Sequence, residues 1–297
     1  MTGPDRSDLG TALVEALEPV TANCHVQARG LSWEDIVRVS DFDVAQASWC
    51  QASVAGPPEP FAPDMFKTYK AIALRAARHL TGDSTPTALV STVMQNLQSS
   101  QDWLGDYVRG VPVSVRIQTA TRAVSWLTRT AELLGTDDLT HFRCDQNLEW
   151  RYPGYGLQLK TKIPLVRSDD ELSVPVLVTT SPSTSWDDSV AFSLLLWALS
   201  VQRSADHALI IVHSTGERTE VEIDALLERG IDAAARAALA VSQRSSGPDG
   251  LRRTPVFFTC QSCAWHDSCA ERHESASRPP VRGGIRLGSS RIGSNEL

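Results

Sequence analysis

Long apolar runs are missing from this chain. The nearest is "FSLLLWALSV" (192–201), ten residues long, where a membrane-spanning helix needs roughly 18. It reads as a buried helix, and no membrane partner is expected. The opening "MTGPDRSDLG" lacks the basic start and apolar stretch of a signal peptide, so a cytoplasmic location is expected. Lysine is scarce, at four of the 28 basic residues, a skew that suggests a GC-rich genome and excludes no mechanism. The net charge of −7 lacks the basic excess usual in a nucleic-acid binder. No G-x-S-x-G, H-E-x-x-H or Walker pattern occurs. "GYG" (154–156) is a turn and not a phosphate loop, because no Lys-Ser/Thr follows it.

What is present is an ordinary globular composition. The 297 residues are 42% hydrophobic and 21% charged, enough for a core without crosslinks. Charge is unevenly spread. Residues 1–50 carry eight acids against Arg6, Arg29 and Arg38, while 66–135 carry eight basic side chains against four acids. The end, 275–297, has Arg278, Arg282, Arg286 and Arg291 against Glu296.

Apolar spacing predicts a short helix over 9–20 after disordered residues 1–10, and a second helix around 40–56 with Ser40 as N-cap. Three prolines make 56–63 a loop. Residues 65–135 read as helices over 66–80, 87–108 and 114–135, the last ending on a capping Gly135. Three β-like segments follow at 141–152, 155–166 and 174–181. An apolar helix (188–202), two strands (207–214 and 217–224) and an alanine-rich helix (224–243) complete the order. The expected class is α/β: N-terminal helices (1–64), a helical insertion (65–138), a core with the late cysteines (139–270) and a disordered Gly/Ser/Arg tail (271–297).

Those late cysteines form the densest motif. "CQSCAWHDSC" (260–269) places Cys260, Cys263 and Cys269 within ten residues. Three thiols in one segment of a reduced-compartment protein point to a thiolate-preferring centre, either zinc or an iron–sulfur cluster. The fourth ligand must be remote: Cys24, Cys50 or Cys144, with Cys50 favoured by its setting in "VSDFDVAQASWCQ". His266 and His273 read as surface histidines.

The pairing of "VSDFDVAQASWC" with "CQSCAWHDSC" resembles the iron–sulfur branch of the RecB-like PD-(D/E)XK nucleases, which includes CRISPR-adaptation exonucleases and the AddB nuclease domain. The resemblance covers most of 38–270. It implies a restriction-endonuclease-like core, a mixed sheet flanked by helices with a helical segment inserted. It also implies a 4Fe-4S cluster on Cys50, Cys260, Cys263 and Cys269, joining the N- and C-terminal parts, with zinc as the alternative.

The same resemblance implies catalytic positions that this sequence fills with other residues. The family's metal-binding Asp falls at or near Pro164, its Asp/Glu-x-Lys near Thr179 and Ser181, and its helical Gln and Tyr at Ser193 and Trp197. Residues 172–186 hold no Asp, Glu or Lys, so no shift of register restores a site that would activate water on a divalent ion. Asp169, Asp170 and Glu171 read as solvated turn acids, and Asp187 and Asp188 as acids favoured by a helix N-terminus. Glu149 could stand in for an upstream acid, but one carboxylate binds Mg2+ poorly. His79 is the sole histidine of the early helix. Lys160 and Lys162 lie on one strand face with Pro164, as phosphate contacts or plain surface. Trp126, Trp150, Trp186 and Trp197 fit core spacing.

Two functions are then expected. One is a catalytically inactive nuclease-fold protein that binds DNA or serves beside a helicase or nuclease in repair, recombination or phage defence. The other is a protein-interaction scaffold without DNA binding. A live exonuclease with unconventional ligands is the further alternative.

Overall fold

The structure is a computed structural model that describes residues 8–21, 37–55, 65–152, 156–169, 172–179, 184–201 and 204–243, together with 251, 253, 260, 263 and 269. Helix α1 (Leu9–Thr21) is amphipathic: Leu9, Leu13 and Leu17 recur every four residues and are fully buried, one stripe of a helix. It begins at Leu9, so the expectation of disorder to residue 10 is corrected at its last two residues. The apolar stripe needs the first turn. Residues 1–7, the 56–63 loop and the 271–297 tail lie outside the described residues.

Strand β1 (Val37–Ser40) leads directly into α2 (Asp41–Trp49). Ser40 is the expected cap. Its Oγ accepts from Asp43 N at 3.3 Å, and Asp43 Oδ2 accepts from Ser40 N at 2.8 Å, a closed capping box. A short α3 (Gln51–Val54) follows. The segment expected as a helical insertion holds α4 (Met65–Ala77), α5 (Pro86–Leu97), α6 (Trp103–Gly110) and α7 (Val113–Leu134). Gly135 closes α7 at a φ of 69°. The single helix expected over 87–108 is two, because Asp102 caps a new start by accepting from Gly105 N at 2.9 Å.

Strands β2 (Phe142–Arg151), β3 (Leu157–Asp169) and β4 (Leu172–Thr179) are followed by α8 (Thr184–Ser200), β5 (His207–Val212), β6 (Glu217–Glu222) and α9 (Leu227–Ser242). The six strands form one mixed sheet in the order β1-β3-β4-β5-β6, with β2 on the other edge of β3. β1 runs parallel to β3 and β4 parallel to β5; the remaining pairs are antiparallel. β6, "ERTEVE", is largely exposed and charged, a composition that blocks further strand addition at an edge.

Helices cover both faces. On one, α1, α2, α8 and α9 enclose Phe192, Leu194–Leu196 and Trp197 with Leu157, Leu159, Ile163 and Leu177 of the sheet. From Val190 to Leu199 α8 is apolar except for Ser193, and most of that stretch is buried, as expected of a helix packed on more than one side. At Gly230 of α9, an added Cβ would stand 2.6 Å from Ala191 O, so the two helices approach there only because a side chain is lacking. On the other face, α4–α7 pack Ile72, Leu104 and Leu127 against Leu165, Val176, Leu209 and Ile211. Neighbouring positions split between the two cores (Val176 and Leu177, Ala208 and Leu209), the alternation of a sheet buried on both sides.

Candidate functional site

The sheet forks around β3. One edge of β3 pairs with β2 along its length. The opposite edge takes β1 at residues 157–160 and β4 at 165–169. Among the described residues, 161–164 have no strand partner on that second edge. Past Val176, β4 leaves β3: Leu177, Val178 and Thr179 pair with β5 alone. The fork is therefore bounded by Thr161–Pro164, the end of β4 and the junction of β1 with α2.

Pro164, half-buried, lies across from Asp145 of β2, which adopts a φ of 65°. Proline has no N–H to offer the ladder, and the pairing skips this position. Thr179 is buried, and its carbonyl accepts from His213 N at 3.0 Å. Ser193 of α8 is 3% exposed and exchanges a hydrogen bond with Thr161 at 2.8 Å. Trp197 donates its indole N–H to Ser204 Oγ at 2.7 Å. Of the five positions expected to carry a lost active site, Pro164, Thr179 and Ser193 sit at or under the fork and bring no carboxylate, and Trp197 lies one turn further along α8. Ser181 lies outside the described residues.

Lys160 and Lys162 point to the exposed side, each facing an acid of β2. Lys162 Nζ is 2.8 Å from Asp145 Oδ1, and Lys160 is paired in register with Glu149. Arg151 lies 2.5 Å from Glu149 and holds its carboxyl below the usual range. Asp188 is more than a helix-terminal acid. It is buried and accepts from Arg229 at 2.7 Å and Arg236 at 2.9 Å, joining α8 to α9. Asp187 lies in the first turn of α8, 3.5 Å from Arg229. Trp126 and Trp197 are core residues, and Trp150, partly buried, packs on Tyr152. His79 is exposed just past α4. Asp170, Glu171, His266, His273 and the side chains of Asp169 and Trp186 lie outside the described residues.

The fork also holds groups that the sequence reading did not single out. Asp41 follows Ser40 at the start of α2, and Lys70 projects from α4 with its Nζ 4.3 Å from the Phe66 ring centre. Burial raises the Asp41 carboxyl, against the pull of its backbone hydrogen bonds and Lys70. Burial also lowers the Lys70 ammonium to about 8, with the Asp41 charge opposing. His213, just past β5, is lowered to about 4 by burial and by the charges of Lys70 and Arg129. Thr130 donates its hydroxyl hydrogen to Trp126 O at 2.8 Å, so toward His213 Nε2, at 2.9 Å, it accepts. The imidazole hydrogen therefore sits on Nε2 and leaves Nδ1 an acceptor. One carboxyl beside one lysine does not supply the paired carboxylates a divalent ion prefers. The available signal was positional: His213 and Thr179 close two neighbouring parallel strands, where α/β sheets place their chemistry.

Of the candidate cluster ligands, Cys50 caps the junction of α2 and α3 and is buried, as is Cys260. Cys263 N donates to Cys260 O at 3.4 Å. Cys50 and Cys269 are free thiols. Leu251, nine residues before Cys260, is buried in the same core as Cys50. Cys144 packs against the other core, and burial pushes its thiol up to about 11. Cys24 lies outside the described residues. Among the described residues, no three His, Cys, Asp or Glu side chains group closely enough to hold a metal ion. What fits a thiolate-bound centre is thus the chemistry of the donor set.

The chain matches no protein-family model and no curated protein. Among solved structures it is similar to the crystal structure of SSO0001, with 14% identity and a TM-score of 0.35 over 89% of this chain and 96% of that chain. That score is too low to argue from. Among the described residues, no helix is long and apolar enough to cross a membrane.

Proposed function

We propose that this protein is an iron–sulfur member of the RecB-like nuclease fold that has lost hydrolysis and acts as a DNA-binding accessory subunit beside a helicase or nuclease. The observation that carries the reading is the fork: β3 and β4 separate around Pro164 and Thr179, and neither strand brings a carboxylate there. The element order supports it too. Helix α2, strands β2, β3 and β4, helix α8 and strand β5 follow one another as that core requires, with α4–α7 inserted after the first helix. Cys50, Cys260, Cys263 and Cys269 would hold the cluster, which would crosslink segments some two hundred residues apart and stabilise the fold in the manner of a structural metal.

The test is a DNA titration of anaerobically purified protein at several salt concentrations. Affinity is expected to fall steeply between about 50 and 200 mM salt, as counterion release dictates, with no strand cleavage in Mg2+ or Mn2+. Metal-dependent cleavage overturns the loss of hydrolysis. Absence of DNA binding at low salt leaves the scaffold reading, which the acids facing Lys160 and Lys162 favour. Iron and sulfide analysis of the same sample distinguishes the cluster from zinc.

A further inference from the structure

Helix α7 presents Arg122, Ser125, Trp126 and Arg129 at spacings of three, four and seven residues, one face over two turns. With Tyr69 of α4 and His213 and Ser214 beyond β5, that face lines a cleft of about 380 Å³. Its charged lining is basic. Arg129 lies 3.2 Å from Glu132, the acid nearest to it. Arg122 is exposed and, among the described residues, makes no ion pair or hydrogen bond. Trp126 is 4% exposed, yet its indole N–H has no partner, and a buried donor left unmatched is a cost that a ligand acceptor can relieve.

The turn after β5 is shaped around this lining. Gly216 has a φ of 74°, and a Cβ built there would stand 2.3 Å from Arg129 Nη2. The missing side chain leaves room for the guanidinium against the turn.

We propose that this cleft binds a phosphate ester of nucleotide size, its phosphate held between Arg122 and Arg129 with the hydroxyls of Ser125 and Ser214 at hand. Guanidinium groups match phosphate oxygens in pairs. A volume within the usual range for small-ligand pockets, about 300–1,000 Å³, leaves room beyond the phosphate for the sugar and base against Tyr69 and Trp126. The assignment stands apart from the nuclease-fold reading. The ester can be a free nucleotide or the end of a strand, and the chemistry recognised is the same.

Calorimetric titration of the full chain tests it with adenosine 5′-monophosphate, adenosine, inorganic phosphate and one oligonucleotide with and without a 5′-phosphate. Adenosine monophosphate or the phosphorylated oligonucleotide is expected to bind, with adenosine and the unphosphorylated end much weaker. Which of the two binds more tightly identifies the source. Exposed Arg122→Gln is expected to weaken binding about 10- to 100-fold, as loss of a charged hydrogen bond does, and Arg129→Gln similarly. Arg151→Gln, on the far strand β2, should leave it unchanged. Equal binding of adenosine and its monophosphate overturns the proposal, as does inorganic phosphate binding as tightly as the nucleotide. No binding by any phosphate probe, or full affinity in both arginine variants, also overturns it. DNA binding that persists while nucleotide affinity is also unchanged in both variants would leave the accessory-subunit reading standing while this one falls.

Discussion

The two faces of the sheet differ in what they leave unfinished. The face under α1, α2, α8 and α9 is sealed: Leu9, Leu13, Leu17, Phe192 and Trp197 are at most 1% exposed, and several of its polar groups are matched. Ser193 meets Thr161, Trp197 meets Ser204, and Asp188 meets two arginines. The face under α4–α7 has an apolar centre of its own but opens into clefts. Of the groups driven far from their ordinary ionisation, Lys70, Asp102, Cys144 and His213 belong to this layer or face it, while the buried Asp41 heads α2. One layer thus supplies stability while the other exposes charge and unmatched donors, the separation expected when rigid scaffolding positions a binding surface.

The largest expected blow to this contrast is Trp197→Ala. It empties the sealed core and orphans Ser204, and should cost about 3–5 kcal/mol in urea unfolding. Nucleotide affinity of the protein that remains folded should hold; a change there would show that the layers are coupled. A smaller effect is expected from Asp188→Asn, which weakens the tie between α8 and α9 by about 1.5–3 kcal/mol, the range for hydrogen bonds to charged groups. Unchanged stability would mean that the two exposed arginines find water as good a partner.

The smallest effect is a slope. His213 titrates near 6.5 when unfolded and about 4 when folded, so the unfolded chain takes up its proton first. Folded-state stability should fall as pH drops from about 6.5 to 4 and gain nothing further from this group above 6.5. In His213→Gln that stretch of the pH profile should flatten. Identical profiles in the two proteins would deny that the histidine is held neutral by its surroundings.

Much of the architecture was legible where local chemistry decides it. Ser40 three residues before Asp43, and Gly135 after an apolar helical run, mark boundaries without help from the rest of the chain. The break between α5 and α6 was not legible, because Leu97, Leu104 and Val108 keep helical phase across it. β1 was missed because "VRVS" is four residues long and becomes a strand only by pairing with 157–160. The same holds for the site. Pro164 and Thr179 could be named by register, and the late cysteines by spacing. Asp41, Lys70 and His213 come from three distant elements, and only the folded sheet brings them near one another.

The packing of α1 against α9 has a consequence for synthesis. The leucine stripe of Leu9–Thr21 leaves the ribosome some two hundred residues before Leu227–Ser242, the surface it needs. Contacts so distant in sequence form late and slowly. Until that second helix is made, the leucine stripe stays without its partner surface, open to the non-native association that exposed apolar faces invite.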